Sequence, residues 1–209
     1  MKIDNWYWYF KGALSRKFCE ELIHYGQQQE ARMALTGKFT DPSSMTQKQV
    51  RDLKKKRDSN IIWINDWWVY KHVLPFVDQA NKSAGWNFEW NYSESCQFTK
   101  YSAGQFYDWH QDSFDKPYNT PNNVNTHNKI RKLSVTCSLS NPDTYRGGEL
   151  ELFQGTPEKS NKKTSMKCHE ITQQGSIVVF PSFMWHRVCP VTAGTRHSLV
   201  VWNLGEQFK

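Results

Sequence analysis

The sequence predicts a mostly β fold, a sandwich or jelly roll buttressed by helices that come first in the chain. Three observations carry this expectation. Two helical patterns occupy residues 1–85, short β-forming segments separated by turns fill residues 86–209, and neither an internal repeat nor a composition break divides the chain. Helices followed by many short strands is the order expected when the helices cover one sheet of a β architecture. One domain over 1–209 is therefore expected, with 1–85 as helical buttress and edge strands and 86–209 as the β core.

Taken in order, residues 5–10 read as a strand that Gly12 ends. Ser15 then caps a helix running to about Gln29, with Phe18, Leu22 and Ile23 on its apolar side. Gly37, Pro42, Ser43 and Ser44 mark a loop before a short exposed helical stretch. Residues 61–64 form a compact apolar strand led by Arg57-Asp58-Ser59-Asn60. Asp66 can cap a second helix carrying Trp67, Tyr70, Val73, Leu74, Val77 and Ala80; Pro75 kinks it or starts a new turn, and Gly85 stops it. Strands are expected over 86–90, 95–100, 105–110, 131–139, 149–153 and 165–171, with three more segments after Gly175. Two polar stretches interrupt them. Residues 113–128 hold two prolines and five asparagines without hydrophobic periodicity and read as a lid over a substrate, and residues 154–163 as a surface turn.

Composition narrows the class. Hydrophobic content of 38% with 15% aromatics belongs to a folded protein, and the ten tryptophans suit barrel walls or an exposed binding surface. Five cysteines without regular spacing suit a reducing compartment. Residues 1–10 are aromatic with Asp4 among them and lack the aliphatic core and small-residue cleavage site of a signal peptide, and no apolar run approaches spanning length, so a soluble cytoplasmic protein without membrane contact is expected. The net charge of +7 is moderate; the basic run 51–57 reads as a solvated helix face or loop more readily than as a phosphate-binding patch.

Chemistry concentrates in 101–112, which ends His110-Gln111-Asp112. On an extended segment His110 and Asp112 point to the same side, which gives half a metal site. His186 is the strongest candidate for a further ligand, because it follows a buried strand pattern closed by Pro181 and begins another. Two histidines and one carboxylate with open positions is the ligand set of non-haem iron(II) oxygenases, whereas a structural zinc site calls for four ligands, usually with paired cysteines. No Cys-x-x-Cys is present. Arg196, ten residues after His186, would sit on the last core strand facing the same interior, where a buried guanidinium demands an anion. A dicarboxylate cosubstrate would meet that demand, with Ser198 on the same strand face as a second donor.

These residues, with Tyr101, Gly104, Tyr107, Leu133-Ser134-Val135-Thr136, the run from Asn141 to Leu150 and Gly175 to Pro181, make the chain resemble a 2-oxoglutarate/Fe(II)-dependent oxygenase of the prolyl 4-hydroxylase-like group over roughly 57–204. The resemblance implies a double-stranded β-helix packed against N-terminal helices. It further implies Fe(II), 2-oxoglutarate and O2 as cofactor and cosubstrates, with ascorbate as a stimulant. His110, Asp112 and His186 would be the metal and catalytic residues, Arg196 the carboxylate anchor, and Tyr101 and Tyr107 neighbours of the cosubstrate. Where better-known prolyl hydroxylases often have a tyrosine before a leucine, this chain has Ser138 before Leu139, so the second donor to the distal carboxylate is open between Ser198 and Thr136.

The remaining histidines read blandly. His24 and His72 lie on the buttress helices, His127 is in the polar loop, His169 is a further competitor, and His197 should face away from the barrel interior. Gly147-Gly148 would allow a bulge or a close approach, and Glu149 a substrate contact or a solvated strand end. By resemblance the substrate is a prolyl residue of a protein or peptide. The alternatives are a nucleic-acid or free amino-acid oxygenase, which the basic run and aromatic platforms would serve in the first case, or a non-catalytic metal-binding jelly roll.

Overall fold

The computed structural model describes residues 3–35, 45–113, 115–153 and 165–208. Its elements in chain order are β1 (Trp8–Phe10), α1 (Arg16–Gln27), β2 (Arg32–Met33), α2 (Gln47–Lys54), β3 (Arg57–Asp58), β4 (Asn60–Ile64), α3 (Trp67–Ser83), β5 (Tyr92–Ser93), β6 (Cys96–Ser102), β7 (Phe106–His110), β8 (Lys129–Ser138), β9 (Tyr145–Gly147), β10 (Leu150–Phe153), β11 (Ser165–Lys167), β12 (Ile177–Pro181), β13 (Trp185–Val188) and β14 (Val191–Glu206). A larger sheet runs β1-β12-β8-β14-β6-β4-β2, with β5 and β9 also on β14; a smaller one runs β11-β10-β13-β7-β3. This is the double-stranded β-helix with helical buttress that the sequence led one to expect.

Strand alternation decides where each face of the larger sheet looks. Phe98, Leu133, Val135, Cys137, Ile177, Val179, Leu199 and Val201 join one apolar cluster with Phe18 and Leu22 of α1 and Val69, Val73, Val77 and Ala80 of α3. The intervening residues of the same strands, among them Gln97, Thr99, Ser134, Thr136, Arg196 and Ser198, are buried and polar and turn to the interior between the sheets. A smaller apolar cluster of Leu150, Leu152, Val178, Phe180, Met184, Val188 and Val191 joins the two sheets. Helix α1 comes so close to the larger sheet that a Cβ on Gly26 would stand 2.8 Å from the Phe98 ring.

The helix starts follow capping chemistry. Ser15 accepts from the Phe18 N–H at 3.1 Å, and Thr46 and Gln49 make a reciprocal capping box on α2. Asp66 occupies the N-cap of α3 but makes no cap bond; its carboxylate instead accepts from the Tyr25 hydroxyl at 2.9 Å and ties α1 to α3. Helix α3 runs unbroken through Pro75, and Gly85 follows its C-cap at φ +73°.

Some boundaries differ from the sequence expectation. Residues 86–90 form no strand, because the buried Asn81 side chain takes their backbone bonds: its Oδ1 accepts from Phe88 N–H and its Nδ2 donates to Phe88 O, both at 2.9 Å. Asn87 sits at φ +51°, a left-handed conformation that a strand does not pass through. The 165–171 segment is a strand only to Lys167 and then a 3-10 turn, His169–Ile171. The first strand begins at Trp8 rather than at residue 5. The basic run 51–57 splits between the exposed face of α2 and Arg57, which is buried. The expected surface turn at 154–163 lies outside the described residues. The five cysteines are all buried free thiols, and no described helix is long and apolar enough to cross a membrane.

His197 does face away from the interior, into the helix-side core, where it stacks on Phe98 with centroids 5.5 Å apart and its Nε2 has no hydrogen-bond partner. Burial first, then Lys100 and Arg196, lower it from 6.5 to about 4. The unfolded chain therefore takes up a proton at His197 that the folded chain refuses. The associated stability is complete above pH 6.5 and is lost as pH falls through about 4. His197→Gln is expected to flatten this loss in urea unfolding at pH 7 and pH 4.5; a variant as acid-sensitive as the parent would refute it.

Candidate metal centre

Strand pairing builds the site. In the ladder between β7 and β13, His110 and His186 are direct cross-strand partners, which brings the two imidazoles within 4.1 Å, centroid to centroid. Asp112 follows two residues after His110, on a turn whose backbone is pinned: the N–H groups of Asp112 and Ser113 both donate to Ser182 O at 2.9 Å. The result is a compact donor set. His110 Nε2 lies 3.7 Å from Asp112 Oδ1 and His186 Nε2 lies 3.4 Å from Oδ2, and one ligand atom from each residue falls within 4.8 Å of the others. Among the described residues this is the one cluster of that kind.

The surroundings prepare these donors for a cation. His110 Nδ1 faces Asp108 O at 2.8 Å and His186 Nδ1 faces Met184 O at 3.0 Å. A carbonyl can only accept, so each Nδ1 carries the hydrogen and each Nε2 presents its lone pair to the cluster. Burial, and next the neighbouring His186, push His110 well below 6.5 and keep it neutral. Burial alone would raise the Asp112 carboxyl, but His186, His110 and Arg131 together outweigh it and hold it at about 2, so it is ionised. Ser134 Oγ donates to Asp112 Oδ2 at 2.8 Å and fixes its rotamer. Two imidazoles and one oriented carboxylate fit a divalent transition metal such as Fe(II).

A groove of 930 Å³ opens over His110 and Asp112, walled by Arg57, Trp63, Tyr107, Trp109, Arg131, Trp185 and Trp202 and edged by Asp52, Leu53 and Lys56 of the α2 region. Tyr107 stacks on His110 at 3.5 Å and lies under the Arg57 guanidinium at 4.4 Å. Burial is the main cause that pushes its hydroxyl up to about 12.

Arg196 is 2% exposed, lies over the Tyr101 ring at 5.6 Å and donates from Nη1 to Ser198 Oγ at 3.2 Å. Among the described residues it forms no ion pair, so an anion such as a 2-oxoglutarate carboxylate would answer its charge. Gly148, at φ +70°, gives the guanidinium stem its room, since a Cβ there would stand 2.8 Å from Arg196 Cδ. Ser138 is not available as a donor to a ligand, because its hydroxyl is already given to Ile171 O at 2.6 Å. Glu149 pairs with Lys167 at 3.6 Å.

The five residues singled out by pattern, His110, Asp112, His186, Arg196 and Ser198, thus face the interior. The pattern did not single out Trp202, Arg131, Glu94 or the support that Ser134 gives. Trp202 was within reach, being six residues after Arg196 and so on the same strand face. Its indole N–H is buried beside the Asp112 carboxylate without a hydrogen bond of normal geometry. Ser134→Ala should leave the fold intact and weaken binding of a divalent ion roughly tenfold to a hundredfold in a Mn(II) titration; unchanged affinity would mean that Asp112 needs no such support.

Comparison with known proteins converges with this geometry. A PKHD-type hydroxylase of Synechococcus sp. (strain CC9605) is 33% identical over 108 residues, 52% of this chain but only 40% of that relative's own length. Among solved structures, a Pseudomonas putida prolyl-4-hydroxylase superposes with a TM-score of 0.66 at 18% identity, covering 98% of this chain and 95% of the other. A viral collagen prolyl hydroxylase from Paramecium Bursaria Chlorella virus-1, solved as its 2OG complex, superposes with a TM-score of 0.64 at 18% identity, covering 97% of each chain. The family model itself spans residues 96–203, from β6 into β14, and by that match the chain belongs to the 2OG-Fe(II) oxygenase superfamily.

Proposed function

We propose that this protein is an Fe(II)- and 2-oxoglutarate-dependent hydroxylase that acts on a prolyl residue of a protein or peptide. His110, Asp112 and His186 would hold the metal, and Arg196, Ser198, Tyr101 and Tyr107 would surround the cosubstrate. The observation that carries this reading is the joint placement of the three-donor cluster and the buried Arg196, which has no ion pair among the described residues, within one barrel interior. When bound, Fe(II) with 2-oxoglutarate supplies the oxidation of an unactivated carbon by O2, with succinate and carbon dioxide as co-products.

Each residue has a task that its surroundings support. Asp112 offsets metal charge, while the backbone carbonyls behind both imidazoles keep Nε2 of His110 and His186 turned inward. Arg196 receives the distal carboxylate, and Ser198 stands beside it as the second donor, with Thr136 as the other buried hydroxyl on a neighbouring strand. Tyr101 and Tyr107 wall the interior with aromatic surface and keep water from the reacting carbon.

The polypeptide substrate is supported by the shape of the groove. It is open and walled by tryptophans, which suits an extended chain, whereas a free amino acid would call for a closed polar pocket. The names of the superposed proteins, a prolyl-4-hydroxylase and a collagen prolyl hydroxylase, point the same way. Nucleic acid fits less well, because Arg57 of the 51–57 run is buried and Lys55 is paired with Asp52 at 3.0 Å.

The test is succinate formation by the iron-loaded protein with 2-oxoglutarate and O2, with and without proline-containing peptides. Stimulation by peptide with a mass gain of one oxygen on proline is the expected result. No succinate under any condition would leave a non-catalytic binder. His110→Ala, Asp112→Ala and His186→Ala should each abolish turnover with the fold retained, and full activity in one of them removes that residue from the ligand set. Arg196→Ala should raise the apparent KM for 2-oxoglutarate by roughly tenfold to a hundredfold, since it deletes a charge-assisted contact.

A further inference from the structure

The polar segment after Asp112, the metal site and the groove wall meet at one ion pair that the mechanism above does not use. Arg131, on β8, is largely buried and grips Glu94 by two bonds, Nε to Oε1 at 2.8 Å and Nη2 to Oε2 at 2.6 Å. The Tyr118 hydroxyl donates to the same Oε1 at 2.9 Å. The face of the guanidinium lies 3.9 Å from the Trp202 ring. Its remaining nitrogen, Nη1, reaches toward Asp112 O at 3.5 Å, a long hydrogen bond.

A guanidinium held this way has little freedom left. The carboxylate fixes its plane and the indole fixes its height, so the direction of Nη1 follows from both. A buried pair of this kind is worth having only when the other lone pairs of its carboxylate are satisfied, and the Tyr118 O–H supplies such a bond. Tyr118 is itself anchored in the base of the polar segment. Its N–H donates to Lys129 O and its carbonyl accepts from Asn128 N–H, both at 2.9 Å.

We propose that Tyr118, Glu94 and Arg131 are positioning residues for the metal centre. Tyr118 orients the Glu94 carboxylate, Glu94 orients Arg131, and Arg131 holds the Asp112 main chain and the Trp202 ring in register with the two histidines. The inference rests on the assignment of His110, Asp112 and His186 as metal ligands. It gives the 113–128 segment a part in how tightly and in what geometry the metal is held, exerted through a hydroxyl that does not touch the metal.

The experiment is titration of the protein with Co(II) alone, followed by the visible absorption of the bound ion, for wild type, Tyr118→Phe, Glu94→Gln and the double variant. Tyr118→Phe should weaken Co(II) about three- to tenfold and change the spectrum, somewhat less than is usual for a residue bonded directly to a ligand. Glu94→Gln should weaken it further, and the double variant should be no weaker than Glu94→Gln, because the hydroxyl acts only through that carboxylate. Wild-type affinity and spectrum in Tyr118→Phe would overturn the proposal, as would losses that simply add. Tyr118→Phe removes one atom and decides alone if Glu94→Gln does not fold. A wild-type protein that takes up no Co(II) would overturn the metal assignment instead.

Discussion

The pairing of His186 opposite His110 is the constraint on which the site depends. Two imidazoles from strands far apart in sequence meet only because β13 and β7 are aligned in this register. A slip of one residue would turn one ring out of the barrel and put its neighbour, Trp109 or Arg187, in its place. That register is secured from both sides, since β13 also pairs with β10 and the turn carrying Asp112 is pinned to Ser182. The placement of the two histidines is therefore a property of the smaller sheet as a whole.

The larger sheet supplies what the smaller one lacks, a rigid backing. Its outer face is closed by α1 and α3 over a largely apolar layer that also takes in His197, while its inner face is lined with hydroxyl and amide groups around Arg196. Burying so many polar groups is costly unless they bond to one another. Gln97 Nε2 donates to Thr99 Oγ1, and the Ser134 and Ser182 hydroxyls share a bond beside Asp112. The apolar face stabilises a sheet whose other face is polar.

What could be read from the sequence was whatever depends on parity and chain order. His186 at the start of a strand, and Arg196 and Ser198 on one face of the last strand, needed only the alternation of a β-strand, whereas Asp112 comes beside His110 on a turn after β7 has ended. What could not be read was set by contacts between distant side chains. Asn81 captures Phe88 and prevents a strand over 86–90, and the Arg131 to Glu94 bond links residues 37 apart. Arg57 looked like part of a solvated cationic run, yet it is buried under the groove against Tyr107, because the chain passes there from one sheet to the other between β3 and β4.

The length of β14 makes it a measuring rod for the molecule. One uninterrupted strand carries Arg196 in the barrel depth and Trp202 at the groove, six residues apart on the same face. At roughly 3.3 Å per residue, this fixes the span between Arg196 and the groove at about 20 Å. Inserting a single residue between them would reverse the facing of one end, and inserting two would restore facing but stretch the span by about 7 Å. The separation of Arg196 from the groove is thus written in a residue count.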